Sequence, residues 1–287
     1  MLPKRINKII ELLEKKQPVF YTSTSDFTYK NGKKMSKTWA DYIRLNCEHE
    51  SVNFDKIGDF MRGLLAGGPT RSGHRTPAVI AELPFPGIDK NIVKYNSWMI
   101  NHLLAKGLHG LILCHSSSKA AVKEFVKSSR FIFRKNKLAG YRGHGGHSFA
   151  MKIWGLNEKK YVEKCDPWPM NSNGELVLGI KMENLKAAKN SYKCSSVSGI
   201  CFGEYGLGDT SMDLGFKTRP SFPLPKKIQT IRQKVWNNCK RNRKYFLGII
   251  NEDNYKNLID NGMMFCRAYD QKVATKARIY TKRKKPW

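Results

Sequence analysis

Apolar runs rich in β-branched and aromatic residues alternate along the chain with segments whose apolar residues recur at helical spacing. Repeated strand–helix units of this kind are typical of a parallel sheet with helices packed outside it. We predict eight strands, at residues 19–22, 42–46, 78–82, 110–114, 176–182, 199–203, 245–250 and 263–268. Eight such units favour an α/β fold, a single (β/α)8 TIM barrel, which typically needs ~250 residues.

The helical segments predict an N-terminal helix at residues 6–16, which ends before Pro18. Another helix is expected to start near Ser117 or Ser118, which are good N-cap residues. Further helices are predicted at residues 55–65, 88–106, 158–164, 228–242 and 253–260. We find no internal repeat and no linker, so residues 1–287 are expected to form one barrel domain with a basic C-terminal tail from about residue 271.

Three potentially reactive side chains follow predicted strands. Glu183 follows the fifth strand, Asp209 lies in a glycine-rich loop after the sixth, and His49 follows the second. In a parallel barrel the carboxyl ends of the strands meet on one face, which holds the site. Two carboxylates there suit a hard divalent cation, Mg²⁺ or Mn²⁺, and a histidine can act as acid or base.

Each of these residues also has a plain structural interpretation. Glu183 could be a solvated N-cap of the next helix, and Asp209 could be a turn aspartate. Asp213 is a competing ligand close to Asp209. His49 could be a satisfied structural histidine. Because Glu183, Asp209 and His49 all follow predicted strands, we favour the functional interpretation for each of them.

The other histidines offer weaker signals. His144 and His147 could form a metal pair or contact phosphate, but no third ligand is near them in the sequence. We therefore interpret them as loop residues. No motif surrounds the remaining four histidines, which are His74, His102, His109 and His115.

The formal net charge of +29 suggests a polyanionic partner when taken alone. Lysines are spread along the chain, however, and only residues 240–244 and 281–287 are dense in positive charge. No nucleic-acid-binding signature is present, so we favour a solvated basic surface and do not expect a nucleic acid partner.

No apolar stretch approaches the ~20 residues of a membrane span, and residues 1–8 do not resemble a signal peptide. The seven cysteines show no paired spacing. We expect reduced cysteines and a cytoplasmic location without a membrane partner.

The chain resembles the HpcH/HpaI aldolase/citrate lyase family, the metal-dependent class II aldolases that act on pyruvate. The resemblance runs from Arg5 to about Asp270 and rests on ordered segments rather than on one motif. These segments are residues 41–49, 107–113, 140–143, Trp154-Gly155, Glu183, 208–215 and 261–265.

The resemblance implies roles for individual residues. The family's metal-binding glutamate and aspartate fall on Glu183 and Asp209, and its acid/base histidine falls on His49. The backbone N–H groups that bind the pyruvate carboxylate would belong to Gly208 and Asp209. Family members are usually oligomers, so we expect a homo-oligomer, a trimer or hexamer.

Three positions depart from the family pattern. Asn46 stands where members usually carry an aspartate, and Glu82 ends the third strand where an arginine is typical. Lys181 replaces a glutamine two residues before Glu183. Strand alternation places Lys181 on the same face as Glu183. It could pair with Glu82 or Glu183, replace the missing arginine as the cation for an enolate, or form a Schiff base.

These observations predict an aldolase that cleaves a 4-hydroxy-2-oxo acid to pyruvate and an aldehyde. His49 would take the proton of the C4 hydroxyl, and the metal would stabilise the enolate. Two alternatives stay open. The chain could be a thioester lyase that uses coenzyme A, or a non-catalytic barrel that binds an acidic ligand or nucleic acid.

Overall fold

Eight parallel strands form a closed barrel in the computed structural model, which describes residues 3–133 and 139–283. A further two-residue strand, β5, lies beside the start of β6 and stays outside the ring. In chain order the strands are β1 Val19–Thr24, β2 Tyr42–Leu45, β3 Ala78–Pro86, β4 Gly110–Cys114, β5 Pro167–Trp168, β6 Leu176–Met182, β7 Phe202–Tyr205, β8 Tyr245–Ile250 and β9 Phe265–Ala268. Pairing of β1 with β9 and of β4 with β6 completes the barrel.

The predicted (β/α)8 barrel is therefore confirmed. Two strand boundaries differ clearly from the prediction: β3 was predicted to end at residue 82 and continues to Pro86, and β7 was predicted at residues 199–203 and begins at Phe202. Gly199 has a left-handed backbone with φ +94°, which interrupts an extended strand at that point. The shift brings Glu204 into the strand.

Thirteen helices surround the sheet in the described residues. They are α1 Lys8–Glu14, α2 Tyr29–Met35, α3 Phe54–Ala66, α4 Lys90–Tyr95, α5 Ser97–Ala105, α6 Lys119–Ser128, α7 Ser148–Trp154, α8 Glu158–Lys164, α9 Leu185–Ser195, α10 Leu207–Asp213, α11 Lys226–Arg241, α12 Tyr255–Asp260 and α13 Gln271–Tyr280. The helix predicted at 88–106 is two helices that meet at Asn96. Helices α2, α7, α10 and α13 were not predicted.

Helix α2 shows why one of these helices escaped prediction. Its sequence has almost no apolar stripe, yet it packs closely against α3. A Cβ atom added at Gly32 would lie 2.2 Å from the Phe60 carbonyl oxygen, and one added at Gly63 would lie 2.2 Å from the Tyr29 carbonyl oxygen. Two glycines thus allow a backbone contact that no hydrophobic periodicity reveals.

Inside the barrel, large apolar side chains form a filled layer. Phe202 and Phe265 stack with ring centroids 4.2 Å apart, and the Tyr21 and Tyr42 centroids are 5.2 Å apart. A second apolar cluster lies between the strands and the helices. Because the barrel interior is packed, it supports the layer above it as a rigid floor.

The region expected to be a basic tail begins with helix α13 instead. Asp41, which is fully buried, lies 2.9 Å from Lys8 Nζ on α1 and 3.2 Å from Arg278 Nη2 on α13. Arg283 donates to both Asp41 oxygens at 2.9 and 3.0 Å. Residues 284–287 of the predicted basic run lie outside the described residues.

All seven cysteines are buried and unpaired, in agreement with the expectation of reduced thiols. Among the described residues, no helix combines the length and the apolar character that crossing a membrane would require.

Candidate active site

A polar layer lies directly above the apolar floor of the barrel. Alternation along the strands carries the inward face from Tyr42 to Arg44 on β2 and from Phe202 to Glu204 on β7. The same face also includes Glu82 on β3, Lys181 on β6 and Arg267 on β9. Charged side chains from five strands therefore face one another at the carboxyl ends of the strands, the end that holds the site in parallel barrels.

Three carboxylates and one imidazole meet at this mouth. Glu48, His115, Glu183 and Asp209 each present one oxygen or nitrogen atom, and these four atoms lie within 4.8 Å of one another. Glu183 directly follows β6, and Asp209 lies in the first turn of α10. The two residues that the sequence assigned to metal binding are thus brought together, with Glu48 and His115 beside them.

Local backbone contacts fix the position of Glu183. Its side chain is fully buried, and its Oε1 accepts the backbone N–H of His115 at 2.7 Å. A Cβ atom added at Gly206 would lie 2.2 Å from Glu183 Cβ and 2.5 Å from its Oε2. The absence of a side chain at Gly206 therefore leaves the space that the Glu183 carboxylate occupies.

Burial and charge act against each other at Glu183. Burial raises the pKa of this carboxyl above its ordinary value, the Lys181 ammonium lowers it, and the Glu48 carboxylate raises it. Lys181 Nζ lies 2.9 Å from Glu183 Oε2 and also contacts Glu48 Oε2. Burial lowers the pKa of Lys181, but Glu183, Glu204 and other acidic neighbours outweigh it and raise that pKa well above its ordinary value. Lys181 is therefore a protonated cation at neutral pH.

Arg44 supplies a second buried cation. Its guanidinium contacts Glu82 and lies 2.8 Å from Glu204 Oε2, and it donates to the Tyr21 hydroxyl at 3.0 Å. Burial lowers the pKa of Arg44, but these acidic neighbours raise it well above its usual range. Glu82, which lies within β3 rather than at its end, is thus compensated by an arginine from the neighbouring strand, which the sequence interpretation did not foresee.

The donor set fits a hard divalent cation. Glu183 Oε2 and Glu48 Oε1 are buried and lack a hydrogen bond within the described residues, although Lys181 Nζ lies close to Glu183 Oε2. Buried carboxylate oxygens without partners are costly. A cation shared with Asp209 would satisfy them, because carboxylate oxygens are the ligands that Mg²⁺ and Mn²⁺ prefer.

The two histidines at the mouth differ in exposure and neighbours. His49 is 64% exposed, and its Nε2 lies 3.5 Å from Glu48 Oε2. His115 lies deeper, with Nε2 3.5 Å from Glu48 Oε1 and Nδ1 3.7 Å from Glu183 Oε1. His115 follows β4 directly, whereas His49 comes four residues after the end of β2, so the strand-end rule applied to His49 could have identified His115. Sequence reasoning missed both His115 and Glu48.

A cavity of about 260 Å³ opens beside the carboxylates. All five residues that the sequence singled out line its wall, namely His49, Lys181, Glu183, Gly208 and Asp209. Gly208 and Asp209 belong to the first turn of α10, where backbone N–H groups have no partner within the helix. The sequence-predicted residues therefore share one cavity.

Three arginines line the same cavity and were also missed. Arg219 comes from the loop before α11, Arg232 from α11, and Arg267 from β9. Within the described residues, none of the three has a carboxylate within salt-bridge distance, and Arg267 lies over the Tyr269 ring at 4.9 Å. Positive charge without acidic partners, in the same cavity as the carboxylate cluster, makes the cavity suited to an anionic ligand that also contacts a bound cation.

No protein-family profile and no curated protein matches the sequence. Solved structures do match the fold. An HpcH/HpaI aldolase/citrate lyase family protein from Burkholderia cenocepacia J2315 superposes with a TM-score of 0.70 at 13% identity, over 97% of this chain and 98% of that one. An HpcH/HpaI aldolase from Desulfitobacterium hafniense DCB-2 gives a TM-score of 0.66 at 18% identity, over 94% and 93% of the two chains.

A more distant match is the citrate lyase beta subunit from M. tuberculosis, in complex with oxaloacetate and magnesium. Its TM-score is 0.56 at 9% identity, over 92% of this chain and 97% of that one. The predicted resemblance to the HpcH/HpaI aldolase/citrate lyase family is therefore confirmed in three dimensions. At these identities the likeness establishes the fold, and function has to be argued from the site.

Proposed function

We propose that the protein is a divalent-metal-dependent aldolase that cleaves a 4-hydroxy-2-oxo acid to pyruvate and an aldehyde. The observation that carries this proposal is the cluster of Glu48, Glu183, Asp209 and His115 at the barrel mouth, within a fold shared with HpcH/HpaI aldolases. The cluster borders a cavity that is also lined by three arginines, Arg219, Arg232 and Arg267. These positive charges favour an anionic 2-oxo acid as the ligand.

Glu183 and Asp209 would hold Mg²⁺ or Mn²⁺, with Glu48 and His115 close enough to contribute. Such a cation supplies Lewis-acid stabilisation of the negative charge that develops on the 2-oxo oxygen as the C3–C4 bond breaks. The Lys181 ammonium and the Arg44 guanidinium add fixed positive charge in the layer below. Fixed charges of this kind stabilise a developing anion without reorganisation.

His49 would act as the base for the C4 hydroxyl. Its ring lines the cavity and is open to solvent, so a water molecule can carry the proton between the hydroxyl and Nε2. Glu48 stands 3.5 Å from the same Nε2 and would stabilise the imidazolium that forms. Gly208 and Asp209 line the cavity, and their backbone N–H groups would hold the substrate carboxylate.

The decisive experiment measures pyruvate release from 4-hydroxy-2-oxo acids with and without EDTA. We expect turnover that EDTA abolishes and Mg²⁺ or Mn²⁺ restores. Glu183→Gln and Asp209→Asn should each abolish most of the activity. Asp213→Asn is the matched control, because Asp213 accepts the Leu185 backbone N–H at 2.7 Å and is not in the carboxylate cluster. Full turnover in EDTA would contradict the proposal.

A thioester lyase is the second candidate, and the three arginines favour it because coenzyme A carries phosphates. The same assay run with acyl-coenzyme A substrates distinguishes the two. RNA binding that weakens with salt, in a protein without turnover on either substrate, would instead support a non-catalytic binding role. We place the protein in the cytoplasm as a homo-oligomer; the seven cysteines without a disulfide partner and the family resemblance support this proposal.

A further inference from the structure

A second group of metal-ligand side chains lies away from the barrel mouth. Its residues lie between positions 144 and 158, in the part of the chain that contains α7 and the start of α8. His144 and His147 come from the glycine-rich loop before α7, and Glu158 is the first residue of α8. The three donor atoms lie within 4.8 Å of one another. Glu158 is the third ligand that the sequence did not reveal.

Both imidazoles face the same carboxylate oxygen. Nε2 of His144 is 2.9 Å and Nε2 of His147 is 2.8 Å from Glu158 Oε1. The two rings are nearly perpendicular, with centroids 5.3 Å apart. Two ring nitrogens and one carboxylate oxygen thus lie close enough together to share one ion.

The contact made by Nδ1, the other ring nitrogen of His147, determines which charge is favourable beside Nε2. Nδ1 of His147 lies 3.0 Å from the Gly145 carbonyl oxygen, which can only accept. A neutral imidazole carries a single N–H, so His147 can donate to the Gly145 carbonyl or to the Glu158 carboxylate, which also only accepts, but not to both. The ring nitrogen without the proton then faces an acceptor oxygen, and with the proton on Nδ1 a positive charge between Nε2 and Glu158 removes that repulsion.

The surroundings hold His147 in this orientation. The residue is 3% exposed, and its ring stacks on Tyr161 with centroids 5.7 Å apart and planes 13° from parallel. Phe131 packs edge-on against the same ring at 5.8 Å. A buried imidazole oriented through its other nitrogen by a backbone carbonyl is the arrangement found around metal-bound histidines.

From this geometry we infer that His144, His147 and Glu158 form a binding site for a Zn²⁺-type transition-metal ion. Two histidines and one carboxylate are a common zinc ligand set, with water in the fourth position. Ligand atoms ~2.0–2.1 Å from Zn²⁺ stand about 3.3 Å apart in a tetrahedron. The observed separations of 2.8 and 2.9 Å need a few tenths of an ångström of expansion.

The loop can supply that movement. Gly145 and Gly146 have φ values of +115° and +69°, and a Cβ atom at either position would meet nothing within 4 Å. His144 and Glu158 are 83% and 54% exposed, so an ion can enter from solvent. The ion would fasten the loop to α8. Because it would hold two segments of the chain together, we assign it a structural role.

The test is calorimetric titration of the full chain with Zn²⁺ in excess Mg²⁺, which occupies the carboxylates at the mouth. A repeat in the Glu183→Gln protein removes the mouth as a competing zinc site. We expect one Zn²⁺ per chain that Mg²⁺ does not displace, because imidazole suits zinc and not magnesium. His144→Gln and Glu158→Gln should each weaken this binding at least ~10-fold. Both altered residues are exposed, so the fold should persist.

Glu163→Gln, on an exposed position of α8, is the matched control and should leave the affinity unchanged. Hydrogen exchange gives a second readout, in which Zn²⁺ slows the amides of residues 143–147 in the natural protein and not in His144→Gln. Zinc affinity unaffected by His144→Gln and Glu158→Gln would overturn the inference. So would an absence of binding, which would mean that a protonated His147 supplies the positive charge. Pyruvate release does not bear on either outcome.

Discussion

Lys181 Nζ lies 2.9 Å from Glu183 Oε2, so the ammonium and the buried carboxylate form an ion pair at the floor of the cavity. The lysine is 11% exposed and also contacts Glu48 and Glu82. Of the three roles considered from the sequence, pairing with Glu183 is the one present in the structure. The ammonium also stands where an enolate needs positive charge, so the electrostatic role is compatible with the pairing.

Removal of this charge should slow catalysis. We expect Lys181→Met to lower turnover by more than ~10-fold while the metal still binds, because a donor to developing negative charge contributes a few kcal/mol. Lys186→Met, on an exposed position of α9, should have no effect. Borohydride with pyruvate should not label Lys181, since its raised pKa keeps it protonated. Undiminished turnover in Lys181→Met would leave the lysine a structural role only.

The two histidines at the mouth should separate kinetically. His49→Gln is expected to reduce turnover on the order of 10²-fold or more at saturating metal, as loss of a general base does. His115→Gln keeps its backbone N–H bond to Glu183 and should weaken metal affinity, with turnover largely restored at high metal. Metal titrations of the initial rate for both variants test this assignment. The reverse pattern would make His115 the acid/base residue.

The three arginines that line the cavity, Arg219, Arg232 and Arg267, should favour a substrate with a second anionic group. Arg232→Met is expected to raise KM about 10-fold or more for a 4-hydroxy-2-oxo acid with a distal carboxylate, since hydrogen bonds to charged groups contribute ~1.5–3 kcal/mol. KM for an uncharged distal end should change little. Arg241→Met, at the end of the same helix and against Tyr192, is the control. Equal changes for both substrates would argue against charge recognition by Arg232.

Asp41→Asn should destabilise the fold strongly. Although burial opposes it, Lys8, Arg283 and Arg278 hold the pKa of Asp41 far below its usual range. Removing the carboxylate leaves buried cations without compensation, a change that typically costs ~3–5 kcal/mol. Urea unfolding monitored by circular dichroism measures the loss, with the exposed Asp253→Asn as control. A loss below about 1 kcal/mol would show that the cations find other partners.

Acid should destabilise the protein through His109. Burial lowers the pKa of this histidine to about 3, with His74 adding to the shift. Its Nδ1 accepts the Val79 backbone N–H at 3.2 Å, so the folded state needs the neutral ring. The unfolded state, with an ordinary pKa of ~6.5, binds the proton first as the pH falls. Stability is therefore lost below about pH 6.5, by roughly 2 kcal/mol at pH 5 from this residue alone.

Urea unfolding at pH 7 and pH 5 measures this loss of stability on acidification. His109→Asn should lower stability at pH 7 and reduce the difference between the two pH values. His102→Gln, on the exposed side of α5, should leave the difference unchanged. An identical pH slope in His109→Asn and the natural protein would assign the acid sensitivity to other groups.

Periodicity predicted most of the barrel because strands buried on both faces have clear apolar runs. It failed where packing depends on glycine, as in the contact of Gly32 with α3, and where a short helix follows a strand, as in α10. These elements depend on tertiary contacts, and a local pattern does not carry that information.

The candidate site likewise contains residues that the sequence predicts and contacts that only the tertiary structure reveals. Strand-end position was enough to find Glu183, Asp209 and His49, and the cavity brings them together. The pair formed by Arg44 and Glu204 joins residues 160 positions apart across the barrel. Alternation predicts that both point inward, but the partner of each depends on closure of the sheet. Glu158 likewise meets His147 only through the packing of α8.

Closure of the barrel between β1 and β9 also has a consequence for the chain while it is being synthesised. Tyr21 pairs with Arg267, so one edge of the first strand has no neighbour until about 240 more residues have been made. At ~5–20 residues per second, that edge stays open on the ribosome for roughly 10–50 s. An open strand edge invites pairing with other nascent chains. The net charge of +29 opposes such encounters through mutual repulsion, which gives the basic composition a part in biogenesis separate from any ligand.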